Sequence, residues 1–311
     1  MNNEELLKEF ALKVISLYNK LSTSNKHIQE IEIEKLRAQI LESNQFLSIS
    51  TLNTASIEFS NGAEKVFGIK DELFNDSSFI KIIDPIQLPI AFEYAVIVIG
   101  LFTENDISID NFFKYNIEFN VILGKEKSKR KRITRDMRLI RFKKGKPSKY
   151  FSIWTDISHK PNNSNYVLIS FYHNFEQDLE KIYKKFKEKW FERLGIDFPV
   201  NHLIILKNLK EGKTVTDISE NIHFYKNSKK SLNRNAKLSK NAINTYIRNM
   251  YSKINILIED AEFFDNEDKK RGGLYTGLFS LIKNEKPINS YLQLINFAQK
   301  YGLTIAMDKF N

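Results

Sequence analysis

Apolar residues recur three or four apart near the start of the chain: Leu6, Phe10, Val14, Leu17 and Leu21, then Ile28, Leu36 and Ile40. That spacing predicts helix over residues 4–42, broken near Ser22-Thr23-Ser24-Asn25. Downstream the pattern changes. Phe46 to Leu52 and Ser56 to Ser60 are short β-like runs, followed by helical patches at Gly62 to Gly68 and Asp71 to Phe74. Longer strand candidates are Tyr115 to Leu123, Arg132 to Phe142, Tyr150 to Thr155 and Tyr166 to Tyr172. Turn clusters such as Lys144-Gly145-Lys146-Pro147 and Pro161-Asn162-Asn163-Ser164 separate them, which predicts an antiparallel sheet.

Helical spacing returns at Phe175, Leu179, Ile182, Phe186 and Trp190, and Gly195 stops it. This stretch is the natural connector. A helix then runs from Pro199 to Lys210, with Asp197 as its expected cap and Gly212 as its end. A second starts at Thr214, with Asp217 in its first turn and Ile218 and Ile222 facing inward. A third starts after Ser239, where Ile243, Ile247, Met250 and Ile254 form one stripe. Residues 274–311 read as two further helices, with Leu292, Ile295 and Phe297 apolar, and a β-like end from Leu303 to Met307. The class is α+β. The expected layout is an N-terminal helical segment (1–44), a sheet domain (45–174), a connector helix (175–195), an all-α domain (196–258) and a helical extension (259–311).

Composition narrows the chemistry. The chain has 311 residues, no cysteine and only 11 Gly and 6 Pro. Disulfides, thiolate metal sites and cysteine nucleophiles are excluded, and domain connectors are expected to be structured. The first residues lack a basic region and an apolar core, so no secretory signal is expected. The apolar run Ala95 to Phe102 is too short to span a bilayer. The expected location is the cytoplasm, with no membrane partner. The five histidines show no ligand spacing, no nucleophile motif is present, and Gly272-Gly273-Leu274-Tyr275-Thr276-Gly277 lacks the features of a phosphate loop. The chain reads as a non-enzyme without cofactor.

The net charge is +10, and its distribution matters more than its size. From Asn221 to Ile258 there is no Asp or Glu, while Lys226, Lys229, Lys230, Arg234, Lys237, Lys240, Arg248 and Lys253 all fall there. Beneath this charge lies the third helix, with Asn241, Asn244, Thr245 and Arg248 opposite its apolar stripe. Arg reads guanine, Asn reads adenine, and Thr contacts bases or a thymine methyl. Tyr225 and Tyr246 lie close to the same basic residues, so single-stranded RNA is an alternative partner. A second basic stretch, Lys125 to Lys149, has thirteen Lys or Arg against Glu126 and Asp136. It is expected to be a sheet hairpin with a solvated basic turn, the alternative being a second polyanion contact, on nucleic acid or on an acidic partner. Carboxylates at 259, 260, 262, 265, 267 and 268 are expected to form a solvated acidic turn.

Two resemblances give these patterns a frame. The run Glu211-Gly212-Lys213-Thr214-Val215-Thr216-Asp217-Ile218-Ser219-Glu220-Asn221-Ile222 resembles the scaffold stretch of LuxR/NarL-type helix-turn-helix proteins. Leu238 to Tyr246 resembles the start of that family's recognition helix, and Arg248 to Ile256 its close. The resemblance implies double-stranded DNA as partner, with contacts at Ser239, Asn244, Thr245, Arg248 and Lys253. The charge and polar pattern add Lys240, Asn241, Lys229, Lys230 and Arg234. The chain departs by placing fifteen residues, His223 to Lys237, where the family has about one.

Residues 46–157 resemble a PAS domain. Glu58 to Ile69, Ile83-Asp84-Pro85 and Tyr150 to Ile157 carry the likeness. It implies one sheet folded around helices, which encloses a small ligand or presents a docking face. The expectation is an apolar-filled core that serves dimerisation, with a small-molecule or protein signal unassigned. The combined expectation is a homodimeric transcription regulator. The rival is an interaction module in which the lengthened turn has ended DNA reading.

Overall fold

The computed structural model describes residues 3–20, 41–101, 114–124, 129–140, 149–160, 166–225, 234–270 and 276–303. The chain divides into two compact units, Met1–Phe186 and Lys187–Asn311. The division falls inside one helix.

Unit 1 begins with helix α1 (Asn3–Lys20). Strands β1 (Gln45–Thr51) and β2 (Ser56–Asn61) form a hairpin. Three helices follow: α2 (Ala63–Phe67), α3 (Asp76–Ile82) and α4 (Leu88–Leu101). Then come β3 (Lys114–Leu123), β4 (Lys129–Ile140), β5 (Lys149–Asp156) and β6 (Leu168–Tyr172). The sheet order is β2-β1-β5-β4-β3-β6, and every pairing is antiparallel. The expected antiparallel sheet is present, but β1 pairs with the distant β5 as well as with its hairpin partner.

Registers explain the core. The pairs Phe46↔Trp154 and Trp154↔Arg135 put these side chains on one sheet face, and alternation places Ile133, Ile117 and Phe119 there too. Trp154 is fully buried and stacks on Phe46 at 4.9 Å, with Phe79 edge-on at 5.1 Å. Its Nε1 donates to Ser48 Oγ at 2.8 Å, so the indole's one polar atom is satisfied. Gly62 has φ +93°, and a Cβ there would lie 3.0 Å from the Gln45 carbonyl, so the turn into α2 needs glycine. Helix α4 is buried at thirteen of its fourteen positions. Lys13 on α1 pairs with Glu9 at 2.8 Å and with Glu93 on α4, all largely buried.

The basic stretch is built on sheet hairpins, β4 pairing with β3 before it and β5 after it, and some of its strand cations are paired. Arg132 is 2% exposed and reaches Glu118. Lys131 pairs with Asp156 at 2.8 Å, Arg130 with Asp84 at 2.6 Å, and Lys149 with Glu58. Carboxylates on neighbouring elements thus pair with four of these cations. Residues 125–128 and 141–148 lie outside the described residues. So does the segment 21–40, where part of the N-terminal helix was expected.

Helix α5 (Glu176–Leu194) matches the expected connector. Within unit 1, Phe186 packs edge-on to Tyr94 at 5.4 Å and Phe171 at 5.1 Å. Within unit 2, Trp190 is fully buried and donates to the Tyr301 carbonyl at 2.8 Å. Gly195, at φ +66°, closes the helix as Ile196 N–H bonds back to Phe191.

Unit 2 contains α6 (Val200–Lys210), α7 (Val215–Asn221), a β7 (Phe224–Tyr225) and β8 (Arg234–Ala236) hairpin, α8 (Lys240–Lys270), α9 (Thr276–Ile282) and α10 (Tyr291–Lys300). Pro199 occupies the cap position of α6 without a side-chain bond, so Asp197 is not the cap. Thr214 caps α7 as expected and forms a reciprocal capping box with Asp217. Ile218 is fully buried, whereas Ile222 is only half-buried. The β-like run expected at Leu303 to Met307 lies outside the described residues from 304 on.

Candidate nucleic-acid interface

Helix α8 carries the candidate surface. Ser239 Oγ accepts the Ala242 N–H at 3.2 Å, and the Ser239 carbonyl accepts from Ile243 at 3.0 Å. This starts the helix where a cap was expected. Ile243, Ile247, Met250 and Ile254 are each at most 1% exposed. They form the buried side with Leu203, Leu206 and Ile218, which are buried in α6 and α7 of the same unit. Anchored in this way, the helix turns its opposite side to solvent.

That side holds Asn241, Thr245 and Arg248, all exposed. Arg248 makes no hydrogen bond or ion pair with any described residue. Thr245 Oγ1 donates to the Asn241 carbonyl at 2.9 Å, which fixes its rotamer. Lys240 is exposed in the first turn, beside the positive end of the helix dipole.

Asn244 is half-buried. Its Oδ1 accepts the Tyr291 hydroxyl of α10 at 3.1 Å, and its amide nitrogen has no described acceptor. About three turns further on, Asn255 holds the same C-terminal segment. Its Oδ1 accepts the Ile288 N–H at 2.7 Å, and its Nδ2 donates to the Ile288 carbonyl at 3.1 Å. Asn244, Arg248, Tyr251 and Tyr291 line a surface groove of about 490 Å³. The segment at Tyr291 therefore borders one flank of the solvent face of α8, and Thr245 and Arg248 remain exposed.

Lys253 stands apart. At about 100° per residue it lies roughly 140° around the axis from Arg248. Its Nζ donates to the Asp197 carbonyl. It does not join Arg248 on one face. Lys229 and Lys230 lie outside the described residues, and Arg234 is placed only as a β8 residue paired in register with Tyr225. Most of the expected phosphate-gripping loop thus lies outside the described residues. Lys237, at its far end, donates to the Glu220 carbonyl at 2.8 Å.

The carboxylates from 259 on do not form a turn. They continue α8, which runs 31 residues to Lys270, or about 46 Å. Glu259 and Asp260 are exposed on the same straight element as Arg248. One continuous helix cannot fold its acidic half back over its basic half, so these residues do not cover the solvent face that carries Arg248.

Behind the helix sits His202, 6% exposed. Its ring lies parallel to Phe198 at 5.9 Å and edge-on to Tyr246 of α8 at 4.8 Å. Neither ring nitrogen has a described partner. Burial, helped by the Lys253 cation and opposed by Asp197, pulls its pKa down to about 4. A neutral histidine therefore lies behind α8. Sequence reasoning missed His202, Asn255 and Tyr291. Local spacing carries no sign of Tyr291, since its contact with Asn244 joins residues 47 apart.

No group of acidic or histidine residues among the described ones is arranged to hold a metal ion. No described helix is long and apolar enough to cross a membrane. No protein-family model matches the chain, and no curated protein matches it either.

Proposed function

We propose that this chain is a DNA-binding transcription regulator. In this reading α8 is laid into the major groove and the sheet unit governs that binding as a PAS-like sensor. The observation that carries the reading is the solvent face of α8. It presents Asn241, Thr245 and Arg248 without a neighbouring carboxylate, on a helix backed by four buried side chains. Arg248 reads a guanine edge, Asn241 and Thr245 contact bases or phosphates, and Lys240 grips phosphate at the helix start. The capping box that starts α7 after α6, the LuxR-like run from Glu211 to Ile222 and the acid-free charge support it.

In unit 1, helices packed on one face of a single antiparallel sheet, with a cavity between, support the PAS-like reading. The helix α5, whose first part belongs to unit 1 and whose last part belongs to unit 2, is the element that carries the signal. Two chains acting together in the cytoplasm set two α8 helices on half-sites about 34 Å apart.

A titration of labelled duplex DNA by fluorescence anisotropy tests this. Binding is expected to weaken steeply with salt, because each neutralised phosphate releases counterions. Arg248→Ala is expected to weaken it further. Binding that ignores both changes refutes the proposal. The Tyr291–Asn244 contact favours a second reading, in which the C-terminal segment has converted this face into a protein-docking or RNA-binding surface. Single-stranded RNA that displaces the duplex at equal concentration selects that reading.

A further inference from the structure

At one end of the inner face of the sheet in unit 1, hydrogen-bonding side chains collect with part of their capacity unused. Ser50 on β1 and Tyr150 on β5 are register partners. Both hydroxyls are buried and have no well-formed hydrogen bond among the described residues, although Tyr150 lies near the Tyr115 phenol. On β4, Arg135 donates only through Nε, to Ser152 Oγ at 3.2 Å. Its guanidinium lies 4.3 Å from the Trp154 ring centre, and neither Nη meets an acceptor among the described residues. Burying such groups unpaired is costly, a guanidinium above all. All three line one cavity of about 60 Å³.

The wall opposite comes from helices and is apolar: Phe10 and Val14 of α1, and Ala95 and Ile99 of α4. The sheet therefore supplies donors and the helices supply a hydrocarbon surface. The space is far below the several hundred Å³ that a drug-sized ligand fills, so its occupant has only a few non-hydrogen atoms. Guanidinium nitrogens and hydroxyls with unused donors favour an oxygen-rich, anionic group, and a guanidinium matches a planar carboxylate. Asp76 also lines the cavity, where its carboxylate accepts the Ile57 N–H at 3.0 Å. It offsets the arginine charge when the cavity is empty. Burial raises its pKa, so it is the acid that yields when a second carboxylate enters.

We propose that this cavity binds a short-chain carboxylate, with its oxygens on Arg135 Nη and the Tyr150 and Ser50 hydroxyls and its alkyl end against α1 and α4. The site stands on its own geometry. Only its consequence, a signal to α8, rests on the regulator reading.

The test is ligand-observed saturation-transfer NMR on the full chain in chloride buffer, with butyrate as probe and butyramide as its neutral counterpart. Butyrate is expected to saturate in the millimolar range, as befits so few atoms. Butyramide is expected to bind about tenfold more weakly or worse. Arg135→Gln abolishes butyrate binding in the proposed site, and Asp76→Asn strengthens it severalfold. Should Arg135→Gln fail to fold, Ala95→Leu fills the cavity from α4, leaves the arginine in place and is expected to abolish binding as well. No saturable butyrate signal, equal binding of butyramide, or full binding by either blocking variant overturns the site and leaves it to water. Butyrate binding that leaves duplex affinity unchanged keeps the site and refutes the sensor role alone.

Discussion

Acidifying the protein from pH 8 to pH 5 should destabilise unit 2 through one residue, His202. A histidine free in an unfolded chain titrates near pH 6.5, whereas in the fold burial holds this one down at about 4. Between those values the unfolded chain binds the extra proton and the folded chain does not. Stability is therefore complete above about pH 6.5 and is lost progressively as the pH falls towards 4. The full pKa gap corresponds to about 3 kcal/mol, of which about 2 kcal/mol is expressed between pH 8 and pH 5. With a urea slope of about 2 kcal/mol per molar, the midpoint should fall by about 1 M.

The chain's two tryptophans permit the measurement, because Trp154 belongs to unit 1 and Trp190 to unit 2. In a Trp154→Phe background, Trp190 emission follows unit 2 alone. His202→Leu loses no hydrogen bond to a described residue, since both ring nitrogens are without one. It is expected to remove most of the midpoint shift while leaving the pH 8 midpoint close to the parent's. An equal shift in the parent and in His202→Leu would refute the assignment.

Other outcomes follow from the same contacts. Arg248→Ala should cost about 1–3 kcal/mol of duplex binding at a single base position, read from a panel of single-base variants, whereas Lys240→Ala should weaken all sequences alike. Thr214→Ala removes the capping box of α7 and should lower the Trp190-detected stability of unit 2 by about 1 kcal/mol. Lys13→Met strands the Glu9 and Glu93 carboxylates in a largely buried setting. It should destabilise unit 1 by about 3 kcal/mol in chemical denaturation of the Trp190→Phe variant, where Trp154 reports alone. Tyr291→Phe frees Asn244 Oδ1 and should change duplex affinity without changing the midpoint of unit 2 by more than about 1 kcal/mol.

How legible the molecule was depends on whether a side chain's environment is local. Alternation located the strands, and the stripe from Ile243 to Ile254 located α8 and its buried side, because periodicity encodes burial within one element. Helix α4 escaped for the opposite reason. A helix buried on all sides has no period, and Leu88 to Leu101 gave only a run of apolar letters. The cations from Lys129 to Lys149 read as solvated because charge alone does not name a partner. Arg132 meets Glu118, 14 residues away in sequence, and Arg130 meets Asp84, 46 residues away. Carboxylates after Ile258 read as a turn although nothing there breaks a helix before Gly272. Lys253 was grouped with Arg248 by the helix-turn-helix resemblance, whereas its azimuth on α8 separates them. Tyr291 and His202 belong to the site through tertiary packing, which the sequence does not spell out.

Recovery of bound fragments from sheared genomic DNA, with the intact chain set beside its Arg248→Ala variant, tests the central claim most directly. The account predicts a small set of enriched fragments that share a two-part motif spaced about one helical turn, and a loss of that enrichment in the variant. Fragments recovered without any shared motif, or recovered equally by the variant, would contradict it.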